Sequence, residues 1–225
     1  MIINKLGYTY NVKEDKYAGF WNLLNNNGWE SGLFHILKNN LTKDSIYIDI
    51  GSWIGPTVLF ASQLSNNCYA IEPDEVAFDT MKENISLNKV NISINNMAIM
   101  DYDGEVSLGT CGEKGDSMSS VLFDKKSNKV KCNTLNTFIT HHKLEKVDFI
   151  KIDTEGAESI ILPNIKELII LLGYPCINLS IHQKLFKQRN EDVENVLSFC
   201  SLYDISSEQI MSIKNNDFFD IFLTK

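Results

Sequence analysis

An α/β domain with a doubly wound, mostly parallel sheet is predicted by three stretches of this sequence. The first is Ile46-Tyr47-Ile48-Asp49-Ile50, a β-branched run that breaks at Gly51 and Gly55 and reopens as a helical pattern with Val58, Ala61 and Leu64 on one face. The second is Tyr69-Ala70-Ile71, an apolar run ending in Glu72-Pro73 about 20 residues beyond Gly51, the separation at which a βαβ unit brings a carboxylate to a bound ribose. The third is Val147 to Ile152, apolar enough for a strand covered on both faces, leading into the charges of Lys151, Asp153, Glu155 and Glu158.

What the first loop lacks narrows its ligand. It has neither the three glycines of a dinucleotide loop nor the Lys of a triphosphate loop. From Ile46 through Pro73 there is no Lys or Arg. Such a site is poorly suited to phosphates and well suited to a nucleoside carrying a sulfonium and an ammonium, as S-adenosyl-L-methionine does. The plainer alternative is that Gly51 and Gly55 only let a helix pack close to a strand.

The chain has 225 residues, a usual size for one α/β domain with an embellishment. Two segments are expected: residues 1–45 as an N-terminal lead with cap helices, and 46–225 as the cofactor-binding domain, in one compact unit. No apolar run reaches the 18 or so residues of a membrane span, and the first residues lack the apolar core of a signal peptide, so a cytoplasmic protein without membrane partners is expected. A net charge of −8 argues against nucleic acid as partner, although Lys184, Lys187 and Arg189 form a local basic cluster. Cys68, Cys111, Cys132, Cys176 and Cys200 show no C-x-x-C pairing, which fits buried or incidental thiols.

Along the chain, residues 1 to 15 read as a strand or extended lead, and two helices follow, one with Tyr17, Phe20, Trp21 and Leu24, one with Phe34, Leu37 and Leu41. Trp29-Glu30 sits between them, where a segment can fold over a cofactor mouth or simply cap a helix. Asp74 caps a helix with Ala77, Phe78, Met81 and Ile85 on its apolar face. A strand from Ile92 ends at Asn96-Met97-Ala98, placing Asn96 to Ile99 near the cofactor's base. Asp101-Tyr102-Asp103-Gly104 lacks the remaining ligands of a calcium loop and reads as a hairpin turn before a strand over Glu105 to Leu108. Gly109 to Ser120, with Ser119 near its end, is polar enough for a ligand-facing loop. Lys129 to Thr134 is a short strand and Leu135 to His141 a helical turn. The helix after Gly156 is expected to break at Pro163. Cys176 to Ile181 is a strand ending at His182, Val193 to Cys200 a helix, and Leu202 to Ser206 and Phe218 to Leu223 two last strands.

Methyl transfer from a sulfonium is a direct displacement, so a protein mainly aligns the acceptor and takes a proton from a hydroxyl. Asp153, Glu155, Glu158 and His182 are candidates for base, acceptor clamp or metal ligand, with His182 first as base because its unperturbed pKa lies near 6.5. A divalent metal held by this cluster is an alternative that is not favoured. In blander readings Lys151 and Glu158 form an ion pair, and Glu155 caps the next helix. Asp49 reads as a loop organiser at the cofactor site, and Glu72 as the ribose ligand.

Tyr47 to Pro56, Ala70-Ile71-Glu72-Pro73, Asn96-Met97-Ala98 before Asp103-Gly104 and, above all, Val147 to Glu158 resemble the FkbM-type methyltransferase family, from about Trp29-Glu30 to His182. The resemblance implies a class I methyltransferase (Rossmann-like) fold with a seven-stranded sheet whose last strand is antiparallel, here with an N-terminal helical segment and an inserted β-hairpin. It further implies O-methylation of a hydroxyl on a sugar, glycan precursor or secondary metabolite. Two departures stand out: Ser52-Trp53 replace the family's usual Ala-Asn, and Ser180 replaces a common glutamate two residues before the histidine.

The expected site therefore comprises His182, Asp153, Glu155 and Lys151 for catalysis. Glu30, Asp49, Gly51, Ser52, Trp53, Gly55, Glu72, Pro73, Asn96, Met97, Ala98, Ser119 and Asp153 are expected for the cofactor, and no residue is committed to a metal. The expected partner is a small hydroxylated acceptor. Rival readings are N-methylation of an amino sugar and a cofactor-binding module without turnover. A nucleic-acid methyltransferase is disfavoured by charge and by the absence of an Asn/Asp-Pro-Pro-aromatic loop.

Overall fold

The structure, a computed structural model, describes residues 1–110, 113–122, 128–188 and 193–225, those at 187 and 188 by backbone alone. Cys111, Arg189 and the side chain of Lys187 lie outside the described residues.

The chain opens with strands β1 (Ile2–Lys5) and β2 (Tyr8–Asn11), paired antiparallel across a turn in which Leu6 (φ 51°) and Gly7 (φ 89°) both have positive φ. The lead is thus a hairpin, more ordered than expected. Helices α1 (Ala18–Asn25) and α2 (Ser31–Asn40) follow. Trp21, Leu24, Phe34 and Leu37 of these helices share one buried cluster with Tyr47, Phe60 and Phe149, so this segment covers one face of the main sheet.

That sheet contains β3 (Ile46–Ile50), β4 (Asn67–Ile71), β5 (Ile92–Asn95), β10 (Phe149–Ile152), β11 (Cys176–Ile181) and β12 (Phe219–Leu223). Their order is β12-β11-β10-β3-β4-β5, all parallel except β12, which runs antiparallel to β11 with Leu179 opposite Ile221. The chain winds outward from β3 on one side and returns at β10 on the other. A crevice opens at such a reversal, over the carboxyl ends of the strands.

The described sheet has six strands, one fewer than expected. Leu202 to Ser206 forms no strand. Instead Ser206 caps α9 (Ser207–Asn215) in a reciprocal capping box with Gln209, satisfying amides that a helix start leaves unpaired.

Helix α3 (Pro56–Leu64) is buried on every side except at Gln63, which explains why its expected single apolar face understates its burial. Asp74 caps α4 (Glu75–Ser86) by accepting from the Val76 and Ala77 amides. An inserted second sheet, ordered β6-β9-β7-β8, comprises β6 (Ala98–Ile99), β7 (Gly104–Thr110), β8 (Ser119–Ser120) and β9 (Asn128–Asn133). The Asp101–Gly104 turn does not close a hairpin between its flanking strands, because β6 and β7 both pair with β9, on opposite edges. Asp103 there accepts from the Thr134 amide and the Thr137 hydroxyl, fixing the start of α5 (Leu135–His141).

After β10, helix α6 (Glu158–Leu171) runs unbroken through Pro163. Proline removes one helical hydrogen bond, but Ile161, Leu162, Ile165 and Ile169 are buried on both sides of it, and that packing holds the helix continuous. Helices α7 (Gln183–Gln188) and α8 (Glu194–Cys200) complete the other face. Cys68, Cys132 and Cys200 are buried free thiols, and Cys176 is partly exposed. Among the described residues no helix is long and apolar enough to cross a membrane.

Candidate active site

A cavity of about 390 Å³ occupies the crevice above β3, β4, β10 and β11. Its floor is the turn after β3. Gly51 has φ +82°, and a Cβ there would lie 1.7 Å from the Asp153 carbonyl oxygen, so only glycine lets the β3 and β10 loops touch. The Gly51 and Ser52 amides donate to the Ile71 carbonyl at 3.0 and 3.1 Å, tying the turn to β4.

The front wall is held by backbone groups. Glu72 accepts from the Trp53 amide at 2.8 Å through Oε2 and from the Asp74 amide at 2.8 Å through Oε1. Burial pushes its carboxyl up to about 7 against those two bonds. Asn96 donates to the Glu72 and Pro73 carbonyls and so braces the same loop. Asp74, beyond capping α4, accepts from the Gly115 amide and the Ser119 hydroxyl, which clamps the 113–120 loop onto the cavity. Trp53 Nε1 and the Tyr17 hydroxyl both donate to the Gly115 carbonyl. Phe20 bridges Trp53 (centroids 4.6 Å apart) and Trp29 (5.1 Å), and the three rings wall the mouth with edge-to-face contacts.

The rear wall is charged. Lys151 is buried, 3.0 Å from Asp153 Oδ2 and 3.7 Å from Asp49 Oδ1. Burial alone would lower its pKa, but Asp153 and Asp49 outweigh that and hold it charged, well above the usual lysine range. The Lys151–Glu158 ion pair of the blander reading does not form, since Lys151 pairs with Asp153 and Asp49. Glu158 turns the other way and accepts from the Thr154 and Gly156 amides and the Thr154 hydroxyl. That is the helix-start role expected of Glu155, which instead has φ +52° and faces His182.

His182 lies among three acids. Nδ1 is 3.5 Å from Glu158 Oε1, while Nε2 is 3.5 Å from Glu155 Oε2 and 3.8 Å from Asp153 Oδ1. Burial would lower its pKa, but Glu158, Asp153 and Glu155 together push it up to about 9. The ring is therefore protonated at neutral pH, unlike the neutral ring expected from the unperturbed value. Burial lifts Glu155 to about 7, with His182 pulling the other way. Asp153, Glu155 and His182 offer donor atoms within 4.8 Å of one another, a set that could hold a divalent cation.

Of the expected site residues, Glu30, Gly51, Ser52, Trp53, Glu72, Pro73, Met97, Ala98, Ser119, Lys151, Asp153, Glu155 and His182 line this cavity. Asp49, Gly55 and Asn96 lie behind the lining. Asp49 is wholly buried and takes the Thr57 hydroxyl, and Gly55 starts α3 with φ +92°. Phe20, Thr57, Leu108, Val121, Thr154 and Phe218 also line the cavity and were not singled out in the sequence. Phe218 packs 5.1 Å from His182, and only the β11/β12 pairing brings it there.

The residues fit the expected cofactor. The volume lies in the range of small-molecule sites, Glu72 is a buried acid at the tip of the second strand, and Lys151, among the described residues the one Lys or Arg in the lining, is already neutralised by Asp49 and Asp153. The chain is an S-adenosylmethionine-dependent methyltransferase on an α/β fold with a mostly parallel sheet. The model of the methyltransferase FkbM domain matches residues 49–203, more than half of the sequence, and the chain belongs to that family.

Among solved structures, the chain is similar to SMU.1697c from Streptococcus mutans in complex with SAH, at 17% identity and TM-score 0.47, covering 78% of this chain and 81% of that one. It is similar also to the SAM-dependent methyltransferase from Agrobacterium tumefaciens, at 13% identity and TM-score 0.44, covering 81% and 52%. No curated protein sequence matches.

Proposed function

We propose that this methyltransferase acts in the cytoplasm on a hydroxyl of a small acceptor, a sugar or glycan precursor of the kind used in polysaccharide biosynthesis. S-adenosylmethionine, when bound, supplies a sulfonium methyl open to direct displacement. The chain's own part is to place the acceptor oxygen and take its proton.

The observation that carries this reading is the Glu155–His182 contact at the rear of the cavity. Glu155 loses its proton near pH 7 while His182 keeps one to about 9, so at neutral pH Glu155 is about half carboxylate beside an imidazolium, and becomes fully so just above. The carboxylate can accept the acceptor's proton, and the pair titrates as a unit. Glu158, fixed by backbone amides, holds the ring from behind. Glu72 and the Met97-Ala98 stretch serve the nucleoside, and Asp153 and Lys151 set the charge between the two halves.

A second reading, N-methylation of an amino sugar, draws on the lining itself: Glu30, Glu72, Asp116, Asp153 and Glu155 against Lys151 and His182. The test is a screen of sugars, amino sugars, nucleotide sugars and small alcohols with isotope-labelled cofactor, read as a methyl mass shift with and without chelator. An alkali-stable methyl ether on a hydroxyl supports the first reading; methylation confined to amines would replace it with the second.

A further inference from the structure

A second cavity of about 190 Å³ lies under α2, lined by Glu30, Gly32, Leu33, Ile36, Asn178, Asp220 and Phe222. Glu30 also lines the main cavity, so the two spaces meet at this residue. We propose that this cleft is an anchoring lobe for an ammonium group on a short apolar stem, carried by the methyl acceptor. The proposal rests on the methyl-transfer reading only in assigning the amine to the acceptor.

Three features argue for it. Asn178 on β11 is 4% exposed, lines the cleft, and its carboxamide has no hydrogen-bond partner among the described residues. Neither atom of that carboxamide is sealed away from the cleft space, where a ligand or water can pair it. Asp220, opposite Ser180 on the neighbouring strand, is oriented by the Ser180 hydroxyl at 2.6 Å on Oδ1, and Oδ2 has no such bond. Among the described residues no basic side chain lines the cleft, and the nearest in register, Lys151 beside Asn178, already pairs with Asp153 and Asp49.

The charge therefore selects a cation and repels phosphate or carboxylate. Burial lifts Glu30 to about 8 against the pull of Lys151, and Asp220, whose outer edge is exposed to solvent, is raised more weakly against Lys151 and His182. Leu33, Ile36 and Phe222 supply the apolar side, enough for a few methylenes. A free ion without a stem would leave that surface unused.

Two sources could present this chemistry, the acceptor and the methionine end of the cofactor. The test titrates propylammonium into the full chain, with propan-1-ol and propionate as neutral and anionic counterparts, and follows the Asn178 carboxamide signals by NMR. A saturable response at least tenfold tighter for propylammonium than for propan-1-ol, and none for propionate, is expected. Asp220→Asn should weaken it at least fivefold and Leu33→Trp should abolish it, with S-adenosylhomocysteine affinity within twofold of wild type in both. An equal response to propan-1-ol, or one indifferent to Asp220→Asn, would overturn the lobe.

The titration is repeated with S-adenosylhomocysteine saturating. A retained response supports an acceptor amine, whereas its loss would give the cleft to the cofactor and overturn the assignment. Failure of the chain to bind S-adenosylhomocysteine at all would instead count against the methyltransferase reading, and is read separately.

Discussion

The two halves of the cavity are built by opposite means. At the front, the polar side chains are matched mainly to backbone: Glu72 to two amides, Asp74 to three besides the Ser119 hydroxyl, Asn96 to two carbonyls. At the rear, charges face charges, with Lys151 between Asp49 and Asp153 and His182 between Glu155, Asp153 and Glu158. Backbone partners fix a shape that recognises a ligand. Mutually dependent side-chain charges, able to gain or lose a proton at modest cost, suit chemistry. The difference teaches that donor binding and proton handling are separable along one sheet edge.

The largest effect is expected where the halves join. Gly51→Ala would drive a Cβ into the Asp153 carbonyl at a positive φ, and a loss of about 3 kcal/mol or more in urea denaturation is expected. Near-wild-type stability would show that the seam is looser than described. Next, at the rear, His182→Ala and Glu155→Gln should each lower kcat by about 10²- to 10⁴-fold with the acceptor returned by the screen, leaving S-adenosylhomocysteine affinity within twofold.

At the front, Glu72→Gln leaves one of two amides without a carboxylate partner. Calorimetry should show cofactor affinity reduced by about tenfold, ~1.4 kcal/mol. A full-strength affinity would remove Glu72 from the nucleoside site.

The smallest effects are in pH. The rate is expected to rise through about pH 7, where the Glu155–His182 pair loses its first proton; a rise centred near 9 would assign the base to His182 alone. Stability follows with a definite sign. Glu30, Glu72 and Glu155 are acids with folded pKa values raised by burial, to about 8, 7 and 7, so their contribution is present below the unfolded value near 4.5 and is lost as pH rises through 7 to 8. His182, raised to about 9, contributes fully below 6.5 and loses that contribution by about 9. All four point the same way, so Tm should fall from pH 5 to 9, with a shallower slope in Glu30→Gln.

The fold was legible where one physical demand dominated locally. Buried parallel strands need apolar runs, so β3, β4, β10 and β11 stood out, and each led into the charged or glycine residues that now line the cavity. Helix α9 was missed although Ser206 and Gln209 carry the spacing of a capping box; the apolar residues from Leu202 to Ile205 favoured a strand reading instead.

The site was legible as a residue set but not as a wiring diagram. Which acid meets Lys151, and which of Glu155 and Glu158 turns toward the helix start, depends on a positive φ at Glu155 that no spacing rule reveals. Phe20 reaches the cavity by packing on Trp53, and Phe218 by packing on His182, contacts between separate elements that no local spacing shows. The main signal for Phe20 was its place on a helix beside Trp29.

The central claim is that the front of the edge binds the cofactor and the rear moves the proton. The most direct measurement pairs S-adenosylhomocysteine calorimetry with single-turnover methyl transfer in Glu72→Gln and Glu155→Gln. Affinity should drop in the first and stay level in the second, while the transfer step at saturating cofactor should slow mainly in the second. If both variants lose affinity and rate in equal proportion, the two halves act as one site and the claim is wrong.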